Sequence, residues 1–176
     1  MSNEQILAMR KQKDEHFAGA KSPLTEEQRS TFSGLNYFDI NPDLRFTVEL
    51  TPFDEPVTIP LPMNNDTDGP AVQKIGRFSV SIEGQEVTFT ALKMGEQGMG
   101  FHFKDGTNGD ETYPAGRFLP LLPEGENRFV ADFNLAGNLM CAYTAGWTCP
   151  VPLPENCINV SIRAGEKIPV GDWVLT

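Results

Sequence analysis

Between Lys104 and Arg117 the chain gathers three carboxylates (Asp105, Asp110, Glu111), two hydroxyls (Thr107, Thr112), the phenol of Tyr113 and the guanidinium of Arg117. A chain reversal needs only glycine, proline or asparagine, so this density of ionisable groups marks a candidate binding or catalytic edge. Gly106, Gly109 and Gly116 let the backbone approach a ligand closely. Arg117 presents a planar fork suited to a carboxylate or phosphate, Asp105, Asp110 and Glu111 offer the opposite charge, and Asp105, Thr107, Tyr113 and Arg117 are the loop's candidate ligand-binding residues. For general acid–base work the candidate pair is Glu111 with Asp132, Glu111 moving the proton and Arg117 stabilising developing negative charge. Asp132 projects from the polar face of an apolar strand, and Asn134 shares that face. Two plainer roles compete. Arg117 can close the loop on Glu111, and Asp132 with Asn134 can cap the turn after their strand.

Other chemistries find less support. Cys141, Cys149 and Cys157 are evenly spaced but form no Cys-x-x-Cys knuckle, and only His16 and His102 are available as further zinc ligands. The run from Asp105 to Asp110 places aspartate where a calcium-binding helix–loop–helix requires glycine. No metal site and no cofactor are therefore expected. No phosphate loop, dinucleotide fingerprint, Gly-x-Ser-x-Gly elbow or His-Glu-x-x-His is present.

The elements that must position these groups are mostly strands. Residues 3–17 spell a charged helix with Arg10, Lys13, Asp14 and Phe17 on one face and an Arg10–Asp14 pairing in reach. Thr25 and Gln28 form a capping box for a short second helix that stops near Gly34. Beyond Tyr37 the period changes to two. Phe46, Val48 and Leu50 alternate with polar residues, and four prolines between 52 and 62 confine the next segment to a sheet edge or extended coil. Residues 76–82 and 87–91 read as a hairpin turning at Glu83-Gly84. Met99, Phe101 and Phe103 form another apolar row, with His102 pointing away beside Lys104. Phe129, Ala131 and Phe133 make a further row, and Ile158, Val160 and Ile162 read as the last strand. The expectation is a mainly β protein, an antiparallel barrel or sandwich with a short N-terminal helical arm. It is one domain over 1–176, with the arm at 1–34 and the β part at 36–176.

Composition bounds the partners. Hydrophobic residues make up 39% of 176 residues, enough for one substantial core, and the net charge is −10. Without a basic patch, nucleic acid and anionic membranes are poor partners. No apolar leader or membrane-spanning run is seen, so a cytoplasmic location with reduced thiols is expected; homo-oligomerisation stays open.

Several ordered motifs carry a family resemblance. They begin with Arg10-x-x-Lys13-Asp14-x-x-Phe17, Ser22-Pro23-Leu24 and Leu35-x-Tyr37-Phe38. The middle motif runs from Phe103 through Asp105, Thr107, Gly109, Glu111-Thr112-Tyr113 and Gly116-Arg117. The later motifs are Asp132-Phe133-Asn134, Asn138-x-x-Cys141-Ala142-Tyr143, Cys149-Pro150-x-Pro152, Pro154-Glu155-Asn156 and Ile162-Arg163-Ala164-Gly165-Glu166. Together they resemble the bacterial and archaeal domain-of-unknown-function family 1684. The resemblance implies a single domain with no assigned reaction, and it adds Tyr143, Asn156, Arg163, Arg10 and Lys13 to the candidate ligand-binding residues. The expected site is a polar pocket for a small polar or zwitterionic molecule, with the first helix laid across the open end of the β part and its cations facing the acidic loop. A hydrolase using Glu111 and Asp132, and an interaction module without a pocket, are the alternatives.

Overall fold

In the computed structural model, residues 1–95 and 98–174 are described. Two antiparallel sheets face each other. The smaller is ordered β1-β8-β7, from β1 (Arg45–Glu49), β8 (Arg128–Asp132) and β7 (Leu122–Pro123). The larger is ordered β2-β3-β4-β5-β6-β9. Its strands are β2 (Thr51–Pro62), β3 (Asp68–Ile82), β4 (Gln85–Lys93), β5 (Met99–Phe103), β6 (Arg117–Pro120) and β9 (Gly137–Asn138). The sheets do not close into a barrel, so the fold is the sandwich of the two expected architectures.

Local chemistry accounts for much of this. The proline-rich β2 lies at the edge of its sheet, where a missing N–H breaks no ladder on the outer side. The β3–β4 hairpin turns at Glu83 (φ 52°) and Gly84 (φ 77°), the left-handed pair that a two-residue turn requires. Between the sheets Phe89, Phe101, Phe103 and Phe133 are fully buried, with the Phe89 and Phe101 rings 4.7 Å apart.

The arm consists of α1 (Asn3–Ala18) and α2 (Glu26–Thr31), both opened by capping boxes, Ser2 with Gln5 and Thr25 with Gln28. Among α1's residues only Ile6 and Phe17 are buried, contributing about 1.5–3 kcal/mol each. Phe17 joins Leu24, Tyr143 and Trp173 in a second, smaller core that ties the arm to the β part. No described helix is long and apolar enough to cross a membrane.

Two expectations are corrected and a third is refined. Asp14 does not pair with Arg10; its carboxylate accepts from the Leu35 backbone N–H at 3.0 Å, fixing the chain where it leaves the arm. The segment Ile158–Ile162 is no strand. Its apolar side chains do pack inward, with Ile162 and Val160 buried, but its carbonyls are taken up singly, that of Val160 by the Gly106 N–H and that of Ile162 by a buried guanidinium. His102 does leave the Phe101–Phe103 face, yet its own face is covered, because Phe118 lies over it at 5.1 Å between rings.

That burial has a measurable consequence. Desolvation lowers the His102 pKa to about 4, so the folded protein keeps the ring neutral where an unfolded chain, near 6.5, binds a proton. The unfolded state then binds more protons between these values, and stability falls as pH drops from 6.5 towards 4, by roughly 3 kcal/mol. Urea unfolding across this range should show the slope for the native protein and a flatter one for His102→Leu. Equal slopes would mean that His102 is hydrated in solution.

Candidate functional site

The Lys104–Arg117 loop is held together from inside. Arg117 and Asp105 form an ion pair, Nη2 to Oδ2 at 2.6 Å, with both side chains fully buried. The guanidinium also donates to the carbonyls of Ile162, Ala164 and Glu166, and it lies 5.1 Å from the centre of the Phe103 ring. Burial lowers the Arg117 pKa, and Asp105 opposes that shift. The other Asp105 oxygen accepts from the Thr107 N–H and hydroxyl, and Thr107 bonds to Thr112 at 2.8 Å. Asn108 donates to the Tyr113 carbonyl, and the Tyr113 hydroxyl donates to the Cys141 carbonyl. The loop is thus closed on Asp105, not on Glu111.

The proposed carboxylate pair is not assembled. Glu111 reaches across to Arg163, Oε1 to Nε at 2.8 Å, and Arg163 is largely exposed, so the pair contributes little. Asp132 is completely buried, accepts from Arg45 Nε at 2.6 Å, and holds the Asn134 backbone and side-chain N–H groups. It caps the turn after its strand, as the plainer role expected. Asn156 makes two bonds to the Thr90 backbone, copying a neighbouring strand along β4. Glu111, Asp132, Asn156 and Arg163 do not line the cavity beneath α1.

That cavity, about 480 Å³, opens between α1 and the β part. Arg10, Lys13 and Asn134 line it, joined by Tyr37, Gly137 and Glu166. The acidic group facing α1 is therefore Glu166 and not the Lys104–Arg117 loop. Its carboxylate, on a residue 2% exposed, accepts from Lys13 Nζ, from the Tyr143 hydroxyl and from the Asn138 backbone N–H. Lys13 Nζ also approaches the Tyr143 oxygen at 3.4 Å, and burial pushes the Tyr143 phenol well above its ordinary pKa, with the Glu166 charge adding to it.

Arg10 lies over the Tyr37 ring at 4.5 Å and donates to the Phe38 and Asn134 carbonyls. Burial lowers its pKa. Two buried atoms here, Arg10 Nε and the Tyr37 hydroxyl, have no hydrogen-bond partner within 3.5 Å among the described residues, and the Glu166 carboxylate lies near enough to the hydroxyl to act on it. Desolvation, reinforced by the nearby Glu166 charge, raises the Tyr37 pKa far above that of free tyrosine. Gly137 presents its bare α-carbon to the ion pair; a methyl built there would stand 3.5 Å from Lys13 Nζ and 3.8 Å from Glu166 Oε1.

The three cysteines are free thiols. Cys149 is buried and its sulfur accepts from the Cys141 N–H at 3.3 Å. Burial, then Cys149, pushes the Cys141 thiol up to about 11, which keeps it protonated and a poor nucleophile at neutral pH.

Glu166 and Tyr37 are the cavity residues that the loop-centred reading passed over. Both stood inside conspicuous motifs, at Arg163-Ala164-Gly165-Glu166 and Leu35-x-Tyr37-Phe38. Their partners lie on α1, 153 residues away in the case of Lys13 and Glu166, and local spacing carries no trace of such a contact.

A family model described as "Protein of unknown function (DUF1684)" matches residues 30–167. The match covers the body side of the cavity, including Tyr37, Asn134, Gly137 and Glu166, and begins after α1. Among solved structures, the chain is similar to the solution NMR structure of an uncharacterized protein from gene locus rrnAC0354 of Haloarcula marismortui. The two share 29% sequence identity over 93% of this chain and 92% of that one, with a TM-score of 0.72. No curated protein matches the chain.

Proposed function

The chain belongs to the DUF1684 family of unknown function, so no relative supplies an activity, and we propose from the cavity itself that it is a binding protein for a small charged polar molecule held between α1 and the β part. The observation that carries this reading is a 480 Å³ cavity whose lining includes Arg10, which has no ion pair among the described residues, and Tyr37, whose hydroxyl has no partner within 3.5 Å among them. An unpaired buried hydroxyl costs about 1–3 kcal/mol, a cost removed when an incoming molecule bonds to it. The volume falls within the range of small-molecule sites, and the lining mixes charged groups with the apolar side chains of Ile6, Met9 and Leu135. A hydrolase built on Glu111 and Asp132 gains no support from the geometry, since each carboxylate has its own partner outside the cavity.

Tyr37→Phe tests the reading. In the free protein the change deletes only an unpaired hydroxyl and keeps the ring under Arg10, so the unfolding free energy should rise by about 1 kcal/mol. In a thermal-shift screen of amino acids, organic acids and amines, compounds that raise the Tm of the native protein should raise that of Tyr37→Phe less. Should the substitution instead destabilise the free protein by a similar amount, the hydroxyl is bonded internally and the cavity loses its main support. We also place the protein in the cytoplasm, a reading supported by its three free thiols.

A further inference from the structure

The cations around the cavity are not evenly satisfied. Lys13 is paired with Glu166, and Arg45 with Asp132, so these two carboxylates are already engaged. Asp14 is turned to the Leu35 N–H, and Asp39 is exposed and outside ion-pair distance of Arg10. Arg10 therefore makes no ion pair among the described residues. It lines the cavity with N–H groups to spare, since only two carbonyl contacts are drawn from its five donors. Lys13, with its side chain 31% exposed, keeps a third proton for a ligand after Glu166 and Tyr143. An incoming ammonium would meet these two cations and find Glu166 occupied. A carboxylate meets the unpaired guanidinium and the spare ammonium proton beside the Tyr37 ring. Beyond them Ile6, Met9 and Leu135 form an apolar wall.

We infer that the cavity selects a small organic carboxylate, its charge on Arg10 and Lys13 and its apolar body against Ile6, Met9 and Leu135. The inference rests on the cavity being a ligand site at all. It narrows the ligand class from polar or zwitterionic molecules to anions with a hydrophobic tail, because Glu166 is directly engaged by Lys13 and Tyr143, whereas Arg10 feels the Glu166, Asp132 and Asp39 charges without contacting any of them.

Four compounds with the same six-carbon body separate the head groups: hexanoate, norleucine, hexylamine and hexanol. Each is titrated into the ¹⁵N-labelled full chain, following the backbone amides of residues 9–13 and 134–138. Hexanoate is expected to shift these amides with at least ten-fold higher affinity than hexanol, with norleucine weaker than hexanoate and hexylamine weakest. Gly137→Ala, whose added methyl meets its neighbours at ordinary contact distances, should leave the Tm within a few degrees and weaken hexanoate about ten-fold by covering Lys13 Nζ. Stronger binding by norleucine or hexylamine at the same amides overturns the anion assignment while the cavity remains a ligand site. Equal affinity for hexanol and hexanoate does the same. If none of the four moves these amides, the carboxylate assignment falls; if the thermal-shift screen is also silent, so does the binding reading.

Discussion

Arg117→Ala is expected to lower the unfolding free energy by about 3–5 kcal/mol, the range for removing one partner of a buried ion pair. The cause is what stays behind. Asp105 would remain fully buried and charged without its cation, and the carbonyls of Ile162, Ala164 and Glu166 would lose their shared donor. Those carbonyls belong to a stretch with no strand ladder of its own, so the guanidinium stands in for the missing neighbour. Lysine should not restore it, because one ammonium cannot span the positions that a planar fork reaches together. With typical stabilities of about 5–15 kcal/mol, the loss is large enough to show as a shifted urea midpoint or as insoluble protein. A variant within about 1 kcal/mol of the native protein would mean that the loop is hydrated and Arg117 free to serve a ligand. The size of the effect decides whether the Arg117 guanidinium is committed to the fold.

The strands were readable because their signals are local. The alternation of Phe46, Val48 and Leu50, the Glu83-Gly84 turn and the prolines of β2 each act on their own neighbourhood. The segment around Ile162 shows where this stops. Its apolar period was right and its burial was right, but strand or coil is decided by what bonds to its carbonyls, and the bonding group came from Arg117. The candidate site failed to assemble for the same reason. Asp105, Glu111, Arg117 and Asp132 look alike as polar residues in an apolar setting, yet only three-dimensional pairing tells an internal staple from a ligand contact. On α1 the reading went further. The shared face of Arg10, Lys13 and Phe17 does meet the β part, but its acidic partner is Glu166, close to the far end of the chain.

The Lys13–Glu166 pair yields the second large expectation, and its asymmetry decides which partner matters more. Lys13→Met leaves a buried carboxylate with two remaining hydrogen bonds and no directly paired cation, and should cost about 3 kcal/mol. Glu166→Gln leaves an ammonium whose side chain is 31% exposed and can turn to water, while the amide oxygen can still accept from the Asn138 N–H. Its cost should be smaller, about 1–2 kcal/mol. The double variant then holds no stranded charge, and its cost should fall clearly below the sum of the two singles, with a coupling of about 1–3 kcal/mol. Denaturant unfolding of the four proteins completes the cycle, and hydrogen exchange of the α1 amides shows where the loss lies. Since α1 buries only Ile6 and Phe17 and is otherwise held by a few part-buried polar contacts, from Arg10 and to Asp14, its protection should drop in Lys13→Met before that of the β core. Additive single effects, or unchanged α1 protection, would show that the pair is solvated and that the helix is docked by Ile6, Phe17 and its Arg10 and Asp14 contacts without it. In that event the cation facing the cavity is not fixed in place, and a preformed anion site under α1 has no physical basis.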